Sequence, residues 1–152
     1  MKHLKYFEKM EFNSHYGGFV TQYNGEKFTL SGGIRVPGSL TVGDNSYYRL
    51  KYIIYSNDLF NKTKNEKDSE IGSVEIGRDN EGIISVLIDI TIKPKFRKNG
   101  YGKQLIKEIV NTTKDGLHVY DIKKSAIKFW LKMGAELINT KFRTINGFIQ
   151  KN

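Results

Sequence analysis

The sequence predicts a single α+β domain spanning residues 1–152, and three observations predict it. A chain of 152 residues with 38% hydrophobic and 12% aromatic content can bury one ordinary core but not two. Strand-like segments separated by turn signals fill the chain as far as Pro94, as hairpins do. After Pro94 the apolar spacing changes to that of helices with one buried side.

Residues 1–45 form an atypical, glycine-rich N-terminal third. "HYGGFVTQYNGEKFTLSGGIRVPGSLTVGDN" reads as strands and loops, with Asn24-Gly25 a hairpin-type turn. "YYRLKYIIYS" (Tyr47 to Ser56) is aromatic and β-branched enough for a strand. "NKTKNEKDSE" (Asn61 to Glu70) is polar and has no apolar period, which predicts a mobile surface loop. "IGSVEIG" and "IISVLIDITIK" flank Asp79-Asn80-Glu81-Gly82 and predict an antiparallel hairpin with Val86, Ile88, Ile90 and Ile92 on one face.

Leu105, Ile106, Ile109 and Val110 form a stripe that predicts a helix from about Gly100 to Thr113. "GLHVYDI" (Gly116 to Ile122) predicts a short strand. Ala126, Phe129, Trp130 and Met133 stand at i, i+3, i+4 and i+7 and predict a second amphipathic helix, ended by Gly134. "AELINTKF" and "INGFIQK" close the chain as strands.

Several function classes drop out. No stretch has the uninterrupted apolar length of a bilayer span, and "MKHLKYFEKMEF" alternates charge with aromatics where a signal peptide carries an apolar core. The expected location is therefore the cytoplasm, with no membrane partner. Having no cysteine excludes disulfides, thiolate metal sites and a cysteine nucleophile, and His3, His15 and His118 lack metal-ligand spacing, so no metal is expected. The 25 Lys and Arg against 16 Asp and Glu leave a formal +9. Such a balance suits an anionic partner, nucleic acid or a phosphorylated cofactor, and equally a well-solvated surface.

"FRKNGYGKQLIKEIV" (Phe96 to Val110) places a glycine turn between a strand and a helix N-terminus. A helix start offers unpaired N–H groups and a partial positive charge, which together make an anion cradle. Gly100 and Gly102 carry no side chain to keep a phosphate from the backbone, and Arg97, Lys98 and Lys103 add full charges. A dinucleotide-binding turn also has Gly-x-Gly after a strand, and Asp121 lies roughly twenty residues on, where a ribose-binding carboxylate would stand. Against that, Leu105 occupies the third glycine position. The remaining alternative is that the glycines only permit a tight turn.

"ITIKPKFRKNGYG" resembles the acyl-CoA cradle of the GNAT superfamily (Gcn5-related N-acetyltransferases), with Arg97, Gly100 and Gly102 in the three defining places. "VYDIKKSAIKFWLKMGAEL" (Val119 to Leu137) is similar to that family's following strand and helix, with Ala126, Phe129, Lys132 and Gly134 matching in order. The resemblance implies a mixed, mostly antiparallel sheet with helices on both faces, splayed between the strand ending at Ile92 and the strand from Leu117 to Ile122. It further implies that the pantetheine arm of acetyl-CoA, or of another acyl-CoA, pairs with backbone at Ile90, Thr91 and Ile92. The diphosphate would then rest on Lys98, Asn99, Gly100, Tyr101, Gly102 and Lys103.

Three departures from the family pattern stand out. Lys123 takes the place of an asparagine near the pantetheine arm, and Trp130 takes the place of the tyrosine that protonates the departing thiolate. An indole N–H does not titrate usefully, so Trp130 can wall the pocket but cannot act as an acid. The family's first strand and two helices are not visible in the N-terminal third. For proton transfer the candidates are Asp89, in a strand otherwise rich in Val, Leu and Ile, and Tyr120, with Glu75 and His118 behind them.

The function expected from these residues is acyl transfer from acetyl-CoA to a primary amine by direct attack. From another class, the alternative is a catalytically weak or silent acyl-CoA-binding module whose basic surface contacts nucleic acid or an acidic protein. Lys93, Lys95 and Lys98 beside the first motif, and Lys123, Lys124, Lys128 and Lys132 beside the second, would form that surface. Oligomeric state stays open between monomer and homodimer.

Overall fold

The computed structural model describes residues 22–152, so His3 and His15 lie outside the described residues. Gly25 turns β1 (Tyr23–Asn24) into β2 (Phe28–Val42), its N–H reaching the Phe28 carbonyl at 2.8 Å. Asn24-Gly25 is thus the hairpin turn its composition predicts. β2 pairs with β3 (Asn45–Ser56) across the Gly43-Asp44 turn, where Gly43 adopts φ +62°. Register slips between Ser31 and Ile34, and between Val36 and Ser39, absorb the glycines and Pro37. The stretch that reads as strands and loops is therefore mostly one long irregular strand.

The predicted loop over residues 61–70 is instead largely helical. α1 (Asn57–Thr63) starts where Ser56 Oγ accepts from the Leu59 N–H at 3.2 Å, and α2 (Glu66–Ser69) where Asn65 Oδ1 accepts from the Asp68 N–H at 3.1 Å. Lys64, at φ 57°, turns one into the other. Elements this short show no apolar period, and their signal is carried by caps and by Phe60, which is buried against Tyr55.

The hairpin of β4 (Glu70–Arg78) and β5 (Ile84–Ile92) follows, its turn closed by Asp79 Oδ1, which accepts from the Glu81 and Ile83 amides. Then come α3 (Tyr101–Thr112), β6 (Gly116–Val119), α4 (Ile127–Lys132), β7 (Glu136–Asn139) and β8 (Ile145–Gln150). Single 3-10 turns at Pro94–Phe96 and Lys124–Ala126 precede α3 and α4. Among the described residues the sheet has eight strands in the order β1-β2-β3-β4-β5-β6-β8-β7, antiparallel throughout except for β5 beside β6.

Leu105, Ile106, Ile109 and Val110 of α3 and Trp130 of α4 pack on one face of the sheet in a single core with Leu50, Ile54, Val74, Ile76, Leu87 and Val119. Fully burying such side chains contributes about 1.5–3 kcal/mol each. Tyr101 and Phe96 join its edge by ring contacts, Tyr101 lying edge-on to both Phe28 and Phe96. Phe129, predicted on the buried stripe of α4, is instead 39% exposed and meets Trp130 edge-on.

β5 departs from strict alternation. Its register against β4 skips once between Ile84 and Val86 and again at Ile88, between Leu87 and Asp89. Each bulge moves the following residues to the other face. Ile84, Leu87, Ile90 and Ile92 consequently face the main core, while Val86 lies outside that cluster, close to Gly77. The shared face expected for Val86, Ile88, Ile90 and Ile92 is corrected accordingly. The predicted strand from Gly116 to Ile122 is also shorter, ending at Val119.

Candidate active site

Two bulges and a short neighbour open the sheet in its middle. β5 and β6 pair only at Val86↔His118 and Leu87↔Val119, and a last bond runs from the Tyr120 N–H to the Leu87 carbonyl at 2.9 Å. β6 then turns away while β5 continues to Ile92, paired on one side with β4. Among the described residues, no strand lies beside the edge of β5 from Ile88 to Ile92 that faces the splay. Ile90, Thr91 and Ile92, the residues expected to pair with an extended ligand, lie on this edge.

The cradle begins where that edge ends. The Phe96 and Arg97 amides bond back to the Lys93 and Pro94 carbonyls at 2.9 and 3.2 Å, and Arg97 Nε donates to the Ile92 carbonyl at 2.9 Å. Lys98 and Gly100 adopt φ +67° and +78°, with Asn99 between them at negative φ. Alternation of this kind aligns successive N–H groups into an anion-binding concavity. Gly100 is the N-cap of α3 and provides no side-chain cap, so the first amides of the helix lack intrahelical partners. A Cβ on Gly102 would meet nothing within 4 Å, which leaves those amides open to an approaching group. A diphosphate fits this turn, and Tyr101 would contribute its amide, because its ring is packed between Phe28 and Phe96.

A groove of about 510 Å3 runs beside the cradle between α3 and α4, lined by Lys103, Lys107, Lys132, Met133 and Gln150 among others. Of the lysines expected to flank the site, Lys132 lines this groove, Lys123, Lys124 and Lys128 are exposed, and Lys93 is bonded to Glu70 at 2.9 Å. Trp130 is 6% exposed and belongs to the core.

The opposite face of the sheet carries three of the proton-transfer candidates, Asp89, Glu75 and His118. Asp89 is exposed on that face and lies directly across from Glu75. Glu75 is held by Arg49, whose Nη2 and Nε both stand 2.8 Å from Oε2. Tyr120 stands where the two central strands part. His118 is half-buried, with its ring 4.8 Å from that of Phe148, and burial pushes its pKa below the usual histidine value. Beyond the His118 row lies an open cleft of about 900 Å3 whose lining includes Asp44, Asp79, Glu81, Asp115 and Glu136, with Lys114 opposing them. Those carboxylates come from separate turns and strands, so no sequence spacing announces the cleft.

From β3 onward the element order is strand, two short helices, two strands, helix, strand, helix, two strands. The first strand and two helices not visible in the glycine-rich third therefore lie just beyond it, at residues 45–69. The family model described as the acetyltransferase (GNAT) family matches residues 42–135, well over half of the chain. No curated protein sequence matches it significantly. Among solved structures, the KacTA–DNA complex is 15% identical with a TM-score of 0.50, covering 72% of this chain and 70% of that one. AtaTR bound with AcCoA is 17% identical with a TM-score of 0.48, covering 68% of each chain. Nourseothricin acetyltransferase is 12% identical with a TM-score of 0.44, covering 84% of this chain and 89% of that one. At 15% identity the likeness to the first of these is one of fold alone.

Proposed function

The chain belongs to the acetyltransferase (GNAT) family, and from that premise we propose that it binds acetyl-CoA in the splay and transfers the acetyl group to a primary amine. The observation that carries the reading is the unpaired edge of β5 from Ile88 to Ile92, which leads directly into the glycine turn and the start of α3. An extended amide-bearing arm can add to that edge as a strand does, while a diphosphate takes the amides of residues 98–103. Lys103, Lys107 and Lys132 supply positive charge alongside. When bound, acetyl-CoA supplies an acyl group already activated as a thioester.

Direct attack asks little of the protein beyond placing a neutral amine close to that thioester and providing for its proton. Asp89 and Tyr120 are the residues we assign to this proton transfer. Asp89 is exposed on the face opposite the main core, where it can take a proton directly or through water. The acceptor enters from that face; a separate cleft at the Ser85 and Gly116 ends of β5 and β6 carries carboxylates that favour a cationic amine over a nucleic acid, whose phosphates they repel.

Titration calorimetry with acetyl-CoA tests the cofactor, and a panel of amines ranging from neutral to polycationic, followed by thiol release, tests the acceptor. We expect binding that tightens at low salt and turnover that rises with the positive charge of the amine. No heat of binding for acetyl-CoA would overturn the reading.

A further inference from the structure

The antiparallel ladder between β6 and β8 runs in register from Gly116↔Gln150 to Val119↔Gly147, preceded by a bond from the Lys151 N–H to the Asp115 carbonyl. Continued unbroken, it would give the carbonyl of Ile145 to the amide of Asp121. That carbonyl instead accepts from Ile122, at 2.6 Å, so the β6 side holds one extra residue. Asp121 takes up the slack at φ +53°, in the left-handed region that costs a non-glycine residue about 1–2 kcal/mol. Its amide, deprived of the ladder carbonyl, donates to Oδ1 of Asn146 at 3.0 Å. Asn146 is 9% exposed while Asp121 is exposed, so the bond is part-buried, its acceptor fixed from the inner side.

This bulge sits at the point where the sheet opens. The residue before Asp121 makes the last bond to β5, from the Tyr120 N–H to the Leu87 carbonyl. The residues after it lead through Lys123 and the Lys124–Ala126 turn into α4. We propose that Asn146 is a positioning residue for the acyl-CoA site. Its side-chain carbonyl stands in for the missing ladder acceptor, holds the left-handed bulge at Asp121, and so keeps the Tyr120–Lys123 wall apart from the free edge of β5. The proposal rests on the acyl-CoA reading of the splay and adds a residue outside both motifs.

The test compares Asn146→Ala, Asn146→Asp, which retains an oxygen acceptor, and Asn146→Ala combined with Asp121→Gly, which makes the left-handed conformation easy. Amide hydrogen exchange at residues 120–122 is measured without cofactor, and acetyl-CoA affinity by calorimetry. Asn146→Ala should speed exchange at Asp121 and weaken binding by about tenfold, and Asn146→Asp should stay within about threefold of the parent in both. The added glycine should recover most of the lost affinity. Parental exchange and affinity in Asn146→Ala overturn the proposal. Damage by Asn146→Asp equal to that by Asn146→Ala also overturns it, because the side chain would then matter only as packing. Should Asn146→Ala fail to fold, the combined variant with Asp121→Gly decides: faster exchange at residue 121 with affinity near the parent supports the proposal, and parental exchange there overturns it. Absence of acetyl-CoA binding in the parent protein would instead overturn the acyl-CoA reading, with the exchange data still deciding whether Asn146 holds the bulge.

Discussion

Arg97 donates from Nε to the carbonyl of Ile92 at 2.9 Å, across the turn that joins β5 to α3. The arginine of the cradle therefore also closes the turn whose amides it accompanies. Arg97→Ala should weaken acetyl-CoA binding by about 1–3 kcal/mol, the range for a charge-assisted contact. Arg97→Lys keeps the charge but cannot donate to Ile92 and face an anion at once, so its affinity should fall nearly as far. Calorimetry on both variants checks this, and a fully functional Arg97→Lys would mean that charge alone matters.

Gly102 separates the needs of the fold from those of the cradle. A Cβ there meets no atom within 4 Å, and the residue lies in the first turn of α3. Gly102→Ala should raise stability by up to about 1 kcal/mol through helix propensity. Gly102→Asp should not harm the fold either, because a carboxylate suits a helix N-terminus. It should nevertheless abolish acetyl-CoA binding by placing bulk and like charge against the diphosphate. Gly100→Ala differs, since φ +78° costs a side chain about 1–2 kcal/mol. Thermal melts and calorimetry on the three variants should separate the two effects, with Gly100→Ala the least stable and Gly102→Asp the weakest binder.

α3, whose stripe from Leu105 to Val110 holds a sustained period, was legible in the sequence, and the β4–β5 hairpin was legible from its turn, though not the faces of β5 or the place of Phe129. The glycine turn was legible for a different reason, since Gly100 takes φ +78° at the N-cap of α3 and a Cβ on Gly102 would meet open space. What escaped lies where periodicity is broken or too short. The bulges at Ser85 and Ile88 shift the phase of β5 without any glycine or proline to mark them. α1 and α2 have seven and four residues and are written in caps, Ser56 and Asn65. Asn146 answers an amide 25 positions away, a pairing that only the register of β6 against β8 creates.

Trp130 lies in the core with its ring edge-on to Phe129 at 5.1 Å. Trp130→Ala should cost about 3–5 kcal/mol, as deleting a large buried aromatic does. Trp130→Tyr keeps a ring in place and should retain the fold at a smaller cost. Because Trp130 stands where the family places a proton-donating tyrosine, turnover in Trp130→Tyr should equal or exceed that of the parent. Turnover that drops while the melt is unchanged would show that the indole itself shapes the thioester pocket.

His118 should make the fold sensitive to mild acid. Burial beside Phe148 holds its folded pKa below the ordinary 6.5, despite Asp115 and Glu136 in the same cleft. In the unfolded chain the imidazole takes up a proton as the pH falls through that ordinary value, while in the folded protein it does not. The unfolded state then binds more protons, so stability falls with pH through this window until the folded pKa is reached. Above the ordinary value both states are neutral and His118 contributes no slope. Melting temperatures between about pH 7.5 and pH 5.5 should therefore decline, and His118→Gln, which cannot titrate, should flatten the decline. Equal slopes for the two proteins would place the acid sensitivity in another group.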